Sequence, residues 1–146
     1  MIIWMRPFYP LDATPISDIV SEAFTEVYPR HIWEGIASYW PDGLVLMLDD
    51  GDVIGVVVGV VDSDETSRVL ILALKPAYRR RGLGKALLER HYQACRAKGI
   101  TKVKLEVRHG NDGAKRFYER NGFKLEGTLP CFYTDGADAW QMSKII

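Results

Sequence analysis

Hydrophobic and polar positions change their spacing several times along this chain, and each change predicts an element of secondary structure. Residues 2–8 are mostly apolar and predict a first strand. A Thr-Pro pair at residues 14–15 is typical of a helix start, and apolar residues then recur at helical spacing to about Val27. Residues 30–39 predict a second, shorter helix, because a Tyr-Pro pair interrupts the first one.

Three continuous apolar runs follow in series and predict an antiparallel meander. They occupy residues 44–48, 53–61 and 69–74, and the first two flank an Asp-Asp-Gly-Asp turn that suits a hairpin. The middle run is the longest apolar stretch, with nine residues. A membrane-spanning helix needs about 20 apolar residues, so we expect no membrane span.

The second half of the chain alternates helices with strands. A 3.6-residue period predicts a helix over residues 83–98, and a strict apolar–polar alternation predicts a half-buried strand over 102–107. Asn111 is suited to cap a following short helix, which an Asn-Gly pair closes. Two last strands are predicted over residues 123–133 and 137–145, around an Asp-Gly turn.

This order of elements predicts a mixed α/β fold built in layers, in which the meander leads into a strand–helix–strand unit. The chain has 146 residues, which predicts one domain over 1–146. Hydrophobic residues make up 47% and charged residues 26% of the chain, and this balance excludes a disordered or fibrous protein. Lys plus Arg and Asp plus Glu each number 19, so the chain lacks the net positive charge of a dedicated nucleic-acid binder.

The sequence shows no signal peptide, no disulfide framework and no metal-binding motif, and these features bear on cellular location and metal binding. The apolar start is too short for a signal peptide, and Cys95 and Cys131 show neither a metal motif nor a disulfide framework. We therefore expect a reduced, cytoplasmic protein. His31, His91 and His109 have no ligand-like spacing, so we expect no metal.

The segment with the most chemical information is 72–85, which joins a buried strand to a strongly patterned helix. Gly82 and Gly84 let the backbone approach a ligand closely, and the following helix N-terminus favours an anion. Five basic residues lie within eleven positions here: Lys75, Arg79, Arg80, Arg81 and Lys85. These features predict a pyrophosphate cradle, with a solvated basic turn as the alternative. The spacing fits neither a P-loop nor the dinucleotide fingerprint.

The pattern Arg79-x-x-Gly82-x-Gly84 resembles the acetyl-coenzyme A signature of the GNAT N-acetyltransferase superfamily. The next strand and helix resemble the same superfamily at Leu105-Glu106-Val107-Arg108, Asn111, Ala114, Phe117-Tyr118-Glu119 and Gly122-Phe123. Residues 132–139 resemble the end of the ribosomal-protein alanine and related protein N-terminal acetyltransferases. The resemblance implies a mixed, mainly antiparallel central sheet of about seven strands flanked by four helices.

The same resemblance implies an acetyl-CoA-dependent N-acetyltransferase acting on a protein N-terminal α-amine by direct attack. Glu106 would be the general base and Tyr118 the general acid, while Tyr28 and Tyr133 would border the substrate groove. His109 and water remain alternative bases. The implied cofactor-binding residues are Leu72, Ala73, Leu74, Arg79, Arg80, Arg81, Gly82, Leu83, Gly84, Lys85 and Asn111.

The sequence leaves several alternatives open. Glu106 can equally be a solvated strand residue paired with a neighbouring lysine, Tyr118 a packing residue, and Asn111 only a helix cap. The acceptor can instead be a small amine, an amino acid, a polyamine or a lysine side chain. A hypothesis from another class is a non-catalytic acyl-CoA-binding module. We expect a monomer or homodimer that has neither nucleic acid nor membrane as a partner.

Overall fold

Seven strands form one continuous sheet in the computed structural model, which describes residues 2–146. Their spatial order is β1-β2-β3-β4-β5-β7-β6. The strands are β1 (Ile3–Pro7), β2 (Leu44–Asp49), β3 (Asp52–Ser63), β4 (Thr66–Leu74), β5 (Lys102–Arg108), β6 (Lys124–Leu129) and β7 (Ala139–Ile145). The helices over the same residues are α1 (Ala13–Ala23), α2 (Ile32–Tyr39), α3 (Leu83–Ala97) and α4 (Asp112–Arg120).

Neighbouring strands are antiparallel throughout this sheet, except for β4 and β5, which are parallel. A parallel pair needs a crossover connection, and α3 supplies it. The pairing of β4 with β5 starts at Thr66 and Lys102 and ends at Val69 and Leu105. Beyond that point β4 continues to Leu74, so the second half of the strand has no paired neighbour on its β5 side.

Both faces of the sheet are covered, which explains the continuous apolar runs in the sequence. Val45 and Met47 of β2 belong to the core under α3 and α4. Leu46 and Leu48 of the same strand belong to the second core, together with Ile16 of α1. The predicted meander of β2, β3 and β4 and the predicted fold class are therefore confirmed. None of the helices within residues 2–146 is both long and apolar enough to cross a membrane.

The first two helices differ at their ends from the sequence prediction. α1 starts one residue before the predicted Thr-Pro pair, and it ends at Ala23 rather than at about Val27. It ends there because Phe24 takes an extended backbone, with φ −132° and ψ 152°. α2 starts two residues later than predicted, at Ile32. The two changes leave an irregular connection over residues 24–31.

The last two strands are also shorter than predicted, and residues 130–138 form a loop between them. β6 ends at Leu129, four residues early, and β7 begins at Ala139, two residues late. Cys131 has a positive φ of 51°, which a strand does not accommodate. Its backbone N–H donates to Asp138 Oδ1 at 2.9 Å, so the loop satisfies its own polar groups.

A buried polar cluster joins α3 to β4 beneath the sheet. Ser67 Oγ lies 2.9 Å from His91 Nε2, and Cys95 Sγ lies 3.3 Å from both of these atoms. A Cβ at Gly59 would lie 2.3 Å from His91 Cε1, so glycine is required there for the imidazole to fit. Burial lowers the pKa of His91 to about 4, which keeps the ring neutral in the folded protein.

The depressed pKa of His91 predicts a loss of stability in acid. In the unfolded chain a histidine binds a proton below about pH 6.5, whereas folded His91 does so only near pH 4. The unfolded state therefore binds more protons as the pH falls from about 6.5 to about 4, and the folded state loses roughly 3 kcal/mol over that window. Urea unfolding of wild type and His91→Gln across this range should show a smaller pH dependence in the variant. Equal pH dependence in both proteins would contradict this account.

Candidate functional site

A groove of about 1080 Å³ occupies the gap where β4 and β5 separate. Its walls come from residues 69–74 of β4, residues 105–108 of β5, the start of α3 and the inner face of α4. The C-terminal turn of α1 and residues 24–26 line the groove as well. The end of strand pairing thus opens one cavity that strands, helices and loops from distant parts of the chain share.

One wall of the groove is the unpaired second half of β4. Leu72, Ala73 and Leu74 all line the groove, as the sequence predicts for residues beside the cofactor arm. β3 pairs with the other edge of this segment up to Leu74. The groove-side edge consequently offers backbone N–H and C=O groups to an extended, amide-containing ligand.

The loop before α3 turns sharply and aims its backbone at one end of the groove. Arg80 and Gly82 both have positive φ, 63° and 78° respectively, and Gly82 is the residue before the first helical turn. Left-handed residues at a helix start bring successive N–H groups together into a concave anion site. Arg79, Arg80, Gly82, Gly84 and Lys85 line the groove here, so this part of the predicted cradle faces the cavity.

Of the residues predicted to bind the cofactor, Arg81 and Leu83 do not line the groove. The Arg81 guanidinium lies 5.5 Å over the ring of Tyr78, whose hydroxyl donates to Asp49 Oδ2 at 2.5 Å. Leu83 packs against the core under α3. The side chains of Arg81 and Leu83 therefore stabilise the loop. Of these two residues, the backbone groups would be the ones to contact the cofactor.

Gly84 and Arg79 also have structural partners that the sequence does not reveal. A Cβ on Gly84 would lie 3.1 Å from Phe117 Cζ, so this glycine lets α3 approach α4. Arg79 Nη2 pairs with Glu22 Oε2 of α1 at 2.7 Å, and its Nε donates to the Leu74 carbonyl at 3.1 Å. The first arginine of the motif thus ties α1 to the end of β4.

Asn111 performs the capping role that the sequence offers as the alternative to cofactor contact. Its Oδ1 accepts the Ala114 N–H at 3.2 Å at the start of α4, and the residue lines the groove as well. Capping and a position beside the cofactor are therefore compatible.

Glu106 lines the groove from β5 with a side chain that is only 7% exposed. Its Oε1 lies 3.6 Å from Arg68 Nε, and Gln141 Nε2 donates to its Oε2 at 3.4 Å. The alternative in which Glu106 pairs with a neighbouring lysine is wrong, because Lys102 pairs with Glu126 and Lys104 with Asp62.

Tyr118 lines the groove from α4 and is half-buried. Its ring packs edge-on against Phe117 at 5.2 Å and Phe123 at 5.4 Å, so the packing interpretation also holds. Burial raises the pKa of Tyr118 well above its usual range, with Tyr92 and Tyr133 adding to the shift. The phenol is therefore protonated near neutral pH, which is the state that a proton donor needs.

The far end of the groove is bordered by the loop over residues 130–138. Tyr133 lines the groove, and burial, with the nearby Glu106 charge second, raises the pKa of Tyr133 to about 12. Thr134 donates to Glu26 from its backbone N–H at 3.0 Å and from its hydroxyl at 2.9 Å. This contact joins the loop to the connection over residues 24–31. Tyr28 lies outside the groove lining, where it packs against Trp33.

Several residues that line the groove were not predicted from the sequence. Arg116 and Arg120 of α4 both line the groove, and their spacing of four on one helix face is a signal that could have found them. Glu22 and Glu26 carry no comparable signal, because their partners are distant along the chain. His109, the alternative base, is exposed outside the groove, and its ring packs at a tilt against Trp140, with 4.5 Å between the ring centroids. Among residues 2–146, no three His, Cys, Asp or Glu side chains are grouped to hold a metal ion.

Comparison with known proteins decides the family. Residues 7–123 match the model of the Acetyltransferase (GNAT) family. The chain belongs to the GNAT acetyltransferase family. The resemblance seen in the sequence and the prediction of an acetyltransferase are both confirmed.

The relatives of this GNAT acetyltransferase extend over nearly its whole length. It is 34% identical to an uncharacterized N-acetyltransferase of Methanocaldococcus jannaschii over 96% of this chain and 90% of that protein. It is 28% identical to an N-alpha-acetyltransferase of Sulfurisphaera tokodaii over 90% of this chain and 86% of that protein. The crystal structure of Ard1 from Thermoplasma volcanium aligns with a TM-score of 0.95 and 32% identity, covering 100% of this chain and 99% of that one.

Other solved structures of the same fold contain coenzyme A or a bisubstrate inhibitor. Their sequence identity to this chain is only 17–20%, so this likeness shows the fold alone.

The basic cradle predicts that donor binding depends on Lys85. Replacing Lys85 by Glu removes a cation from the groove and adds an anion that would repel a phosphate group, so we expect the Kd for acetyl-CoA to rise at least about tenfold. Isothermal titration calorimetry measures this change. Lys98→Glu is the matched control, because it makes the same charge change just beyond the opposite end of α3 and should leave the Kd unaltered. Equal Kd values for the two variants would show that Lys85 does not contribute to acetyl-CoA binding.

Proposed function

We propose that this GNAT acetyltransferase moves the acetyl group of acetyl-CoA to the α-amine of a protein N-terminus. The observation that carries the proposal is the continuity of the groove. One cavity runs from Arg80 and Lys85 at its basic end, past Glu106 and Tyr118, to Tyr133 at the far end. A phosphate-bearing donor and an extended acceptor can therefore meet at two groups suited to acid–base chemistry.

The donor half of the groove fits acetyl-CoA. The N–H groups at the start of α3, with the cations beside them, are suited to the pyrophosphate. The open edge of β4 is suited to the amides of the pantetheine arm, and its N–H groups to the thioester oxygen as charge develops there. Asn111 would contact the arm from the opposite wall. When bound, acetyl-CoA supplies an activated thioester.

The two ionisable groups at the centre divide the proton transfers between them. Glu106, acting directly or through a water molecule, would take the proton from the attacking amine. Tyr118 would deliver a proton to the departing thiolate, for which its protonated state near neutral pH is suited. Because burial raises the pKa of Tyr118, the phenol is a weaker acid than a free tyrosine, and its proton transfer to the thiolate depends on a directly positioned hydrogen bond.

The choice of a protein N-terminus as acceptor is supported by the relatives and by the residues that line the far end. A relative that covers 90% of the chain is an N-alpha-acetyltransferase. Tyr133 and Glu26 line this end of the groove, where Glu26 also accepts a hydrogen bond from Thr134. A small amine, an amino acid, a polyamine or a lysine side chain would use the same centre and is the alternative acceptor.

The acceptor is tested by a mass-spectrometric transfer assay with acetyl-CoA. We expect acetylation of peptides with free N-termini, and none of the same peptides when they are N-terminally blocked and carry lysine. A panel of small amines completes the comparison. Transfer confined to small amines or lysine would contradict the proposed acceptor and keep the enzyme. Tight acetyl-CoA binding without transfer to any amine would favour a non-catalytic acyl-CoA-binding module.

Tyr118→Phe tests the assignment of the acid. We expect the Kd for acetyl-CoA to stay within about twofold, while kcat falls by about a hundredfold because a general acid contributes on that order. Tyr92→Phe is the matched control, since it removes a buried hydroxyl that has no hydrogen-bond partner and does not line the groove. Steady-state kinetics with a reactive peptide decides the point. An unchanged kcat in Tyr118→Phe would reduce Tyr118 to a packing residue.

A further inference from the structure

Glu106 is a nearly buried carboxylate whose two oxygens each face one partner. At 7% exposure the side chain has lost most of its hydration, which strongly disfavours an uncompensated negative charge. Arg68 Nε faces Oε1 at 3.6 Å, and the neutral Gln141 amide donates to Oε2 at 3.4 Å. Arg68 is therefore the positive charge that this carboxylate has beside it.

Arg68 is held in place by the sheet and by a second carboxylate. It lies in β4 within the short stretch that pairs with β5, opposite Lys104. Its Nη2 lies 3.7 Å from Asp62 Oδ1 of β3. Its Nε is buried and makes no hydrogen bond, although it faces Glu106. The guanidinium thus lies between Asp62 and Glu106, with an N–H group directed at the carboxylate in the groove.

We propose that Arg68 is a positioning residue whose positive charge holds the Glu106 carboxylate in the groove. The inference rests on the proposed function, in which Glu106 is the base. Arg68 does not line the groove, so it acts through Glu106 and touches neither donor nor acceptor.

The 3.6 Å separation of Arg68 and Glu106 suits a catalytic base better than the shorter separation of a tight ion pair. A carboxylate must be ionised before it can accept a proton, and burial opposes ionisation unless a positive charge is near. At 3.6 Å the guanidinium supplies that charge without a short hydrogen bond that would occupy an oxygen lone pair. Gln141 fixes the other oxygen without adding charge. The carboxylate keeps its capacity to bind a proton or a water molecule.

Other charged and ionisable groups also lie near Glu106 and Arg68. Tyr133 faces Glu106 from the loop over residues 130–138, and Arg108 lies 5.2 Å over the Tyr133 ring. On the far side of Arg68, Lys104 Nζ lies 3.8 Å from Asp62 Oδ2. Lys104 therefore belongs to the same charge network without contacting Glu106, which makes it a matched control.

The test is the pH dependence of kcat/KM in four proteins. Compared with wild type, Arg68→Gln should move the acid limb of the profile to higher pH by about one unit, because the ionised carboxylate loses its nearest cation. Asp62→Asn should move it slightly to lower pH, because Arg68 then has Glu106 as its one remaining carboxylate partner. Lys104→Gln should move it by less than about 0.3 units, since its charge is more distant and is screened. Arg68→Lys should restore most of the wild-type profile.

Two results would overturn the inference. One is an Arg68→Gln profile that superimposes on wild type. The other is an equal shift in Lys104→Gln, which would indicate a general charge effect. If Arg68→Gln does not fold, the opposite shift expected in Asp62→Asn decides the question, and no shift there counts against the proposal.

A readout without catalysis separates this inference from the proposed function. The side-chain carboxyl carbon of Glu106, assigned with Glu106→Gln, can be followed by NMR during a pH titration. Its midpoint should be about one unit higher in Arg68→Gln than in wild type. An absence of acetyl transfer in wild type would overturn the proposed function alone. An unmoved midpoint in Arg68→Gln would overturn the role of Arg68 alone.

Discussion

The parallel pairing of β4 with β5 is the constraint on which the rest of this structure depends. The pairing ends at Val69 and Leu105, although both strands continue beyond it. On their outer sides β4 remains paired with β3, and β5 with β7, through to their ends. The gap between them is therefore framed by two strands that are each fixed in the sheet. A groove with walls of this kind is preorganised, so little conformational entropy is lost when a ligand enters it.

The same constraint places the positive end of a helix beside the gap. Parallel strands require a crossover, and the crossover helix α3 begins close to the carboxyl end of β4. The N–H groups of its first turn have no acceptor within the helix and carry the positive end of the dipole. Arg80 and Gly82 turn the chain into that position with positive φ. Strand topology thus places a backbone feature suited to an anion beside the groove, and the basic side chains add positive charge to it.

Local patterns predicted the elements and the donor half of the site, because both depend on residues close together in the chain. Periodicity located the three-strand meander, and the Gly-x-Gly turn indicated residues that line the groove, where the donor cradle is proposed. Element ends were less accurate, since the extended backbone at Phe24 and the loop that Asp138 stabilises depend on contacts that no period reveals. The partners of Glu106 were out of reach for the same reason. Arg68 and Gln141 come to it from two other strands, and only the sheet register brings them together.

The energetics of the proposed acceptor, an α-amine, explain why so small a set of groups would be sufficient at the centre. An α-amine with an ordinary pKa near 7.8 needs only about 1 kcal/mol to lose its proton at pH 7. A lysine amine, with a pKa near 10.4, needs roughly 4.6 kcal/mol under the same conditions. A single carboxylate can supply the first amount, either directly or through water, without further help. The lysine reaction would also need an apolar site that lowers the amine pKa, whereas Glu106 and Glu26 would stabilise a nearby ammonium and so raise it. The negative charge at this end of the groove therefore favours an α-amine, whose ordinary pKa lies much closer to neutral pH than that of a lysine.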